Sequence, residues 1–588
     1  MIELFEVSDD HDRRLALGAG GLLRAFNLAG VLTAADVHVA QRVGALAGED
    51  DEQVLLAVAL ATRAVRHGSV CLDLATVADV APELPWPAYD SWAAAVAASP
   101  LGAAGVLRWE FGLLYLDRYW HQEVQVCTDL LARLRIPPPV VDQTVLGAGV
   151  TRVFGGASYG EQRSASTRAA TSWTTVLTGG PGTGKTTTVA GLLALLAEQA
   201  SLTGDTLRIA LTAPTGKAAA RLQEAVSSVG LPAEDRDRLG SLQASTMHRL
   251  LGSRRDNGTR FRHHRANRLP HDVVVVDETS MVSLTMMARL VEAVRPDARL
   301  ILVGDPDQLA SVEAGAVLAD LVAGLREAEP SPVVALRTTH RFGEGIGRLA
   351  TALRIGDADQ VMQVLRAGGD EVELVESDDP ATLLRTDVLE PALAVRALAE
   401  AGNAAAAVAA LDRHRLLCAH REGPFGVRHW NRQVEHWITE ATGDPLYEET
   451  YVGRPLLVTA NDYGLGVYNG DSGVVVREED GTLRAAIGGP DGVLDFATTR
   501  LTDVETMHAM TIHKSQGSQA DEVTVLLPPQ ESRLLTRELF YTAVTRARRK
   551  VRVVGTEASV RAAVERRAQR ASGLRQRLGG GGGGGAAG

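Results

Sequence analysis

Nine consecutive residues, Gly179 to Thr187, have the types and spacing that hold a nucleoside triphosphate. The run GGPGTGKT fits G-x-x-x-x-G-K-[ST] and stands between an apolar run, TTVL, and a helical run, TTTVAGLLALLAEQ. Gly179, Gly180, Gly182 and Gly184, with Pro181 and Thr183 among them, let backbone N–H groups wrap phosphates, and the helix that starts here turns its positive end toward them. Lys185 reaches the β- and γ-phosphates, where a compact ammonium fits and a planar guanidinium does not. Thr186 offers a hydroxyl to Mg²⁺, with Thr187 beside it. Lys185 is one of four lysines in a chain whose lysines and arginines number 60; the others are Lys217, Lys514 and Lys550. The expected ligands are ATP and Mg²⁺.

A second element of the same chemistry is DVVVVDET. Asp277 suits a metal ligand and Glu278 a base that orients attacking water, although an acidic pair at a strand end also commonly caps a helix. RLILVGDPDQL ends in Gln308, which could sense the γ-phosphate or simply occupy a turn. Arg341 in LRTTHRF and Arg546 in FYTAVTRARRK could each enter the cleft as an arginine finger, or lie on the surface. Gln162 in YGEQR, just before the first strand, could read adenine through its amide.

These residues need a scaffold. From about 146 to 345, apolar β runs (TTVLTG, RIALTAP, DVVVVDE, RLILVGD) alternate with helical patterns, which predicts an α/β fold with a parallel sheet covered on both faces. A second α/β region covers 346–578, with short strands and NG, DG and GG turns from about 450 to 505 that predict a small inserted β barrel. Residues 1–145 read as a mainly helical N-terminal domain, closed by RIPPPVVD, and carry no catalytic motif. The tail, residues 579–588, is seven glycines followed by Ala-Ala-Gly and is expected to be disordered.

The chain has 588 residues and a net charge of -12, so nucleic-acid binding has to come from local patches. Cys71, Cys127 and Cys418 lie far apart without metal-ligand spacing and read as buried thiols in a reducing compartment. No charged-then-apolar leader opens the sequence and no apolar run reaches membrane-spanning length, so a cytoplasmic protein without a membrane partner is expected.

In this order, LDRYWHQE, GGPGTGKTTT, LTAPTGKAAARL, STMHRLLG, VVVDETSMV, VGDPDQLASVEAG, LLCAHREGPFGVRHWN, NDYGLGVYNGDSG, MTIHKSQGSQADEV and LFYTAVTRARRKV resemble superfamily 1 helicases. Within these they are similar to the RecD family, the alpha subunits of exodeoxyribonuclease V (RecBCD). The resemblance spans roughly residues 105 to 555. It implies two RecA-like P-loop motor domains with ATP between them, an SH3-like fold for the insertion, and 5′-to-3′ translocation on single-stranded DNA entered from duplex ends. It also implies roles: Gln162 for adenine, Lys185 and Thr186 as the Walker A pair, Asp277 and Glu278 as the Walker B pair, and Gln308, Arg341 and Arg546 around the γ-phosphate. DNA contacts would fall on Pro214, Thr215 and Lys217, on Thr246 and His248, and on Thr511, His513 and Ser515. The partners implied are RecB and RecC, with the N-terminal region as the docking element. Two departures stand out: Thr279 where the family more often has alanine, and a loose match around Arg341.

Hydroxyls, a lysine and backbone N–H groups at strand ends suit phosphate contact without base choice, although each Thr or Ser could equally cap a helix. SRRDNGTRFRHHRANR (253–268) predicts a basic hairpin turning at Asn257-Gly258, which could work at a DNA fork or be a solvated surface feature. Residues 546 to 577 hold eleven Lys or Arg against Glu557 and Glu565, a run that could meet DNA, an acidic partner, or only solvent. The expected activity is an ATP-dependent DNA helicase subunit in homologous recombination, with nuclease chemistry left to a partner. The alternatives are a free-standing RecD-like helicase, which would carry a longer N-terminal extension, and a non-motor subunit that only binds nucleotide.

Overall fold

The computed structural model describes residues 5, 7, 9, 11–254, 257–339, 343–377, 379–446, 448–462, 464–489, 492–568 and 570–580, with no side-chain detail at 254 and 257–259. The N-terminal part packs helices Gly21–Leu28, Ala34–Ala47 and Glu52–Arg66 around Phe26, Leu56, Leu60 and Trp92. Asp51 caps the third helix by accepting from Gln53 N and Val54 N. The region is not helical throughout. Cys71–Asp73 (β1), Leu107–Glu110 (β2) and Leu113–Leu116 (β3) form an antiparallel sheet in the order β1-β3-β2. Phe111 and Gly112 both take positive φ (57° and 72°) in the two-residue turn that joins β2 to β3, the twist that tight hairpins favour.

The first α/β unit contains Thr174–Gly179 (β4), Ile209–Ala213 (β5), Ala244–Thr246 (β6), the small hairpin Ser253–Arg254 (β7) and Asn257–Phe261 (β8), then Val273–Val276 (β9), Arg299–Gly304 (β10) and Val333–Leu336 (β11). Its sheet runs β11-β4-β10-β9-β5-β6 and is parallel throughout. Every residue of β4 and β9 is buried, as a strand covered by helices on both faces must be.

The second unit holds Val372–Val375 (β12) and His414–Cys418 (β13). The insertion follows: Pro455–Val458 (β14), Ser472–Arg477 (β15), Leu483–Gly489 (β16), Gly492–Ala497 (β17) and Val504–Thr506 (β18). The unit resumes with Ala509–Thr511 (β19), Ala520–Leu526 (β20) and Ala547–Val554 (β21). The parallel order is β12-β21-β20-β13-β19, and the insertion is a separate antiparallel sheet, β17-β16-β15-β14-β18.

Three expectations change here. The helix Asp117–Leu134 was expected in the N-terminal domain, yet it packs on the first α/β unit: Arg133 donates to Arg295 O (2.7 Å) and Trp173 O (3.1 Å), and Thr285 Oγ1 donates to Gln122 (2.9 Å). The hairpin is present, but Arg254 pairs with Asn257, so Asn257 and Gly258 lie in β8 rather than in the turn. The basic run 546–577 is largely consumed inside the protein. Arg552 and Lys550 meet Glu373, Arg561 meets Asp359 and Glu557, and Arg577 meets Glu123 at 3.0 Å and Glu110 at 2.5 Å. After residue 565 the chain leaves the second unit and returns across the first, where Leu574 and Leu578 join a core containing Tyr115, Leu130 and Leu321. Of the glycine tail, Gly579 closes the helix Leu574–Gly579, and 581–588 lie outside the described residues. The three cysteines are free and buried. No described helix is long and apolar enough to cross a membrane.

Candidate nucleotide site and nucleic-acid interface

The loop after β4 turns into the helix Lys185–Ser201 through Gly182 and Gly184, both at positive φ (80° and 83°). A side chain there would be strained, so glycine is required. Lys185 Nζ donates to Gly179 O (2.7 Å) and Gly180 O (3.0 Å), and Thr183 Oγ1 donates to Gly180 O (2.9 Å). The ammonium is thus held in the bowl of the loop, with Thr186 and Thr187 half-buried on the first helical turn. Gln162, 1% exposed on the helix Gly160–Ala170, donates its amide to Thr183 O at 3.2 Å, while its Oε1 is buried without a partner. An orphaned acceptor packed on the phosphate loop fits an amine donor such as that of adenine.

Asp277 and Glu278 follow β9. Asp277 N donates to Thr212 O at 2.9 Å, which fixes the strand end. Burial and the neighbouring Glu278 push the Asp277 carboxyl up, and Lys185 partly offsets this. Glu278 adopts φ 49° and ψ 41°, a left-handed conformation that costs a non-glycine residue about 1–3 kcal/mol and gathers at functional sites. Two crowded carboxyls beside a phosphate loop fit a divalent cation, with Thr186 and Asp277 as the donors that would hold it. The family departure Thr279 is satisfied locally: its hydroxyl donates to Val276 O at 2.9 Å.

The cleft is closed by the second unit. Gln308 Oε1 accepts from Arg546 Nη2 at 3.1 Å, and Gln308 Nε2 donates to Asp305 at 3.0 Å. Leu309 N donates to Thr542 Oγ1 (2.9 Å) and Gln516 Nε2 to Leu309 O (2.8 Å). Arg546 is 4% exposed, and burial lowers its affinity for the proton while Glu278 and Asp305 raise it. The sequence reading missed Asp305, Gln516, Tyr541 and Thr542 as cleft residues. All four sit inside the quoted motif stretches, and that position is the only signal they carry. Arg341 lies outside the described residues. The segment leading to it is anchored near Gln162, because Glu161 accepts from Arg337 N (2.7 Å) and Thr338 N (3.0 Å).

The expected DNA contacts follow other strands, β5 and β6 on the far side of the first sheet from β4 and the outermost strand β19 of the second sheet. Thr215 caps the helix Gly216–Ser228 and Thr246 caps the helix Met247–Leu251, each through its hydroxyl. Pro214 is half-buried just before the first of these. Thr511 Oγ1 accepts from Lys514 N, and Ser515 Oγ donates to Ile512 O. His248 and His513 are both held below the usual histidine range by burial. Lys217 is wedged between the first unit and the insertion. Tyr468 packs on Gly216, whose missing side chain makes the room, and burial together with Arg415 and Arg221 pushes the Lys217 ammonium down to about 7. Lys514 is paired with Glu505 at 2.6 Å.

Beside Thr511 and Lys514 lies a cavity of about 560 Å³ between the helix Val427–Thr442 and the insertion, lined by Arg421, Arg428, Arg432, Arg454, Asn431 and Thr506. These arginines were not singled out in the sequence, because they come from three separate stretches that only the fold unites.

Residues 158–377 match the AAA domain family, 506–554 the UvrD-like helicase C-terminal domain, and 28–111 the RecBCD enzyme subunit RecD, N-terminal domain. The RecBCD enzyme subunit RecD of Mycolicibacterium smegmatis is 64% identical over 565 residues, covering 95% of this chain and 99% of that protein. The ATP-dependent RecD2 DNA helicase of Deinococcus radiodurans is 32% identical over 486 residues, covering 82% of this chain and 60% of that longer protein. A crystal structure of Bacteroides Pif1 bound to ssDNA aligns with a TM-score of 0.38 at 16% identity, over 68% of this chain and 92% of that one. The chain belongs to the RecD family of RecBCD enzyme subunits.

Proposed function

We propose that this chain is the ATP-driven 5′-to-3′ DNA helicase subunit of a RecBCD complex, assembled with RecB and RecC and acting from duplex ends in double-strand break repair. The observation that carries this reading is the bond between Gln308 and Arg546, which joins, from different α/β units, the two residues for which the family resemblance implies a place around the γ-phosphate.

The loop N–H groups and Lys185 bind and neutralise the phosphates of ATP. Gln162 orients the adenine through its free acceptor. Thr186 and Asp277 would hold Mg²⁺, which when bound supplies charge stabilisation to the phosphates. Glu278, aimed by its left-handed backbone, orients the attacking water. Gln308 and Arg546 stabilise the charge of the transferring phosphoryl group. Release of the phosphate cleaved by hydrolysis removes the charge that draws Arg546 into the cleft, so the two units separate and the DNA-facing loops move relative to each other.

Single-stranded DNA runs past Pro214, Thr215, Lys217, Thr246 and His248 on the first unit and Thr511, His513 and Ser515 on the second, with the arginine-lined cavity as the continuation of that path. The antiparallel insertion, read as SH3-like, covers it. The basic hairpin 253–268 reaches the fork; Arg265 is paired with Asp129 and Arg268 donates to Val294 O, so among the arginines with described side chains Arg260 and Arg262 take that role.

The experiment is ATP hydrolysis by the complex with and without single-stranded DNA, and unwinding of duplexes with a single 5′ or 3′ tail while the other motor is silenced. DNA-stimulated hydrolysis and unwinding from the 5′ tail are expected. Movement only from the 3′ tail, or no stimulation, refutes the reading.

A further inference from the structure

The helix Arg537–Val544 brings Tyr541 into the cleft from the second unit, where it is 4% exposed. Its hydroxyl donates to Asp305 Oδ2 on the first unit at 3.0 Å. That same oxygen accepts from Gln308 Nε2, and the other accepts from Asp307 N at 3.1 Å. Gln308 spends its remaining oxygen on Arg546. A methyl group built on Gly180 would stand 3.1 Å from the tyrosine hydroxyl, so the polar tip of the ring abuts the phosphate loop itself. Asp305 is 2% exposed; burial pushes its carboxyl up, and Lys185 together with the donors from Asp307 N, Gln308 and Tyr541 partly offsets this.

A buried tyrosine usually finds some partner for its hydroxyl, so core filling alone would explain a hydrogen bond. It does not explain why the acceptor is the carboxylate that orients Gln308, or why the hydroxyl lies on the phosphate loop of the opposite unit.

We propose that Tyr541 is a positioning residue for ATP hydrolysis: through Asp305 it sets where Gln308 and Arg546 stand relative to the phosphate loop. The proposal rests on the motor reading above. When the units close, the hydroxyl completes the donor set of Asp305, and the carboxylate is then unable to turn. Gln308 is fixed by that carboxylate, and Arg546 by Gln308. When the units part, the tyrosine leaves with the second unit, and the hydrolytic groups lose their register while the phosphate loop and its lysine stay intact. The tyrosine thereby makes hydrolysis conditional on closure without contributing to ATP capture.

The test is Tyr541→Phe in the full complex, with the partner motor silenced and single-stranded DNA saturating. Losing a hydrogen bond to a charged group predicts a kcat about tenfold lower, with KM for ATP within about twofold of the parent. The melting temperature of the complex should match the parent. Because the tyrosine acts through Gln308, adding Tyr541→Phe to Gln308→Ala should cost nothing more. An unchanged kcat overturns the proposal, as does a raised KM at constant kcat, an additive double variant, or a loss that tracks a lower melting temperature. If the parent complex hydrolyses no more ATP than a Lys185→Gln control, the motor reading falls first, and the proposal with it; the two failures are therefore distinguishable.

Discussion

The proposed nucleotide cleft and the proposed DNA path are made of the same material, short loops that follow parallel strands, but the fold treats them differently. In the cleft, Gln308 and Arg546 bond across the two units, and Lys185 is held on the carbonyls of its own loop. On the proposed DNA path, Thr215, Thr246 and Ser515 satisfy their own helices and turns, Lys514 is paired with Glu505, and Lys217 sits in a seam against the insertion. A phosphate loop is complete within a few residues, whereas a strand-binding path exists only once separate units have been placed side by side. The cleft residues should therefore behave as individual chemical groups, and the DNA residues as members of an interface.

The sharpest way to break this contrast is Arg546→Ala, which should lower kcat for ATP by about a thousandfold if the residue stabilises phosphoryl charge, measured by single-turnover hydrolysis with the partner motor silenced. Lys185→Gln should cost on the order of a hundredfold or more in the same assay. If either loses only DNA affinity, the cleft has been misassigned.

Lys217→Arg forces a larger group into an occupied seam, and overpacking of about 1–3 kcal/mol predicts roughly tenfold weaker single-stranded DNA binding by fluorescence anisotropy. Lys514→Arg retains its pairing with Glu505 and should change the dissociation constant by less than about twofold. Equal losses at the two positions would dissolve the distinction between a wedged and a paired lysine.

The contrast between the two lysines also has a pH dependence. With its ammonium pushed down to about 7, Lys217 carries charge below that pH and loses it above. DNA binding should therefore weaken as pH rises from 6 to 8.5, by no more than about tenfold for one phosphate contact. An arginine at 217 stays protonated and should flatten the profile.

How much was readable depends on how local each feature is. The phosphate loop, the buried valines before Asp277 and the strand before Gln308 announce themselves within ten residues, because strand, turn and helix signals are short-range. Asn257-Gly258 is a strong local turn signal, yet pairing of Arg254 with Asn257 puts it in a strand; the register was decided by contacts beyond the dipeptide. The run of charge from 546 to 577 looked like a surface because composition cannot reveal that Glu110, Glu123, Asp359 and Glu373 fold back to meet it. The helix Asp117–Leu134 has a clear amphipathic period, but nothing in that period says which unit covers its apolar face.

The sequence by itself determined where a loop of the phosphate-binding type lies, where the strands around it lie, and the membership of the chain in the RecD family, because backbone freedom at glycine, phosphate chemistry and hydrophobic period are properties of short segments. Only the tertiary structure decided that Tyr541 and Asp305 meet, that four arginines from three segments line one cavity, and that residues 566 to 580 strap the second unit to the first. Those outcomes depend on the relative placement of two sheets and an insertion, and long-range packing, rather than any nearby residue, sets that placement.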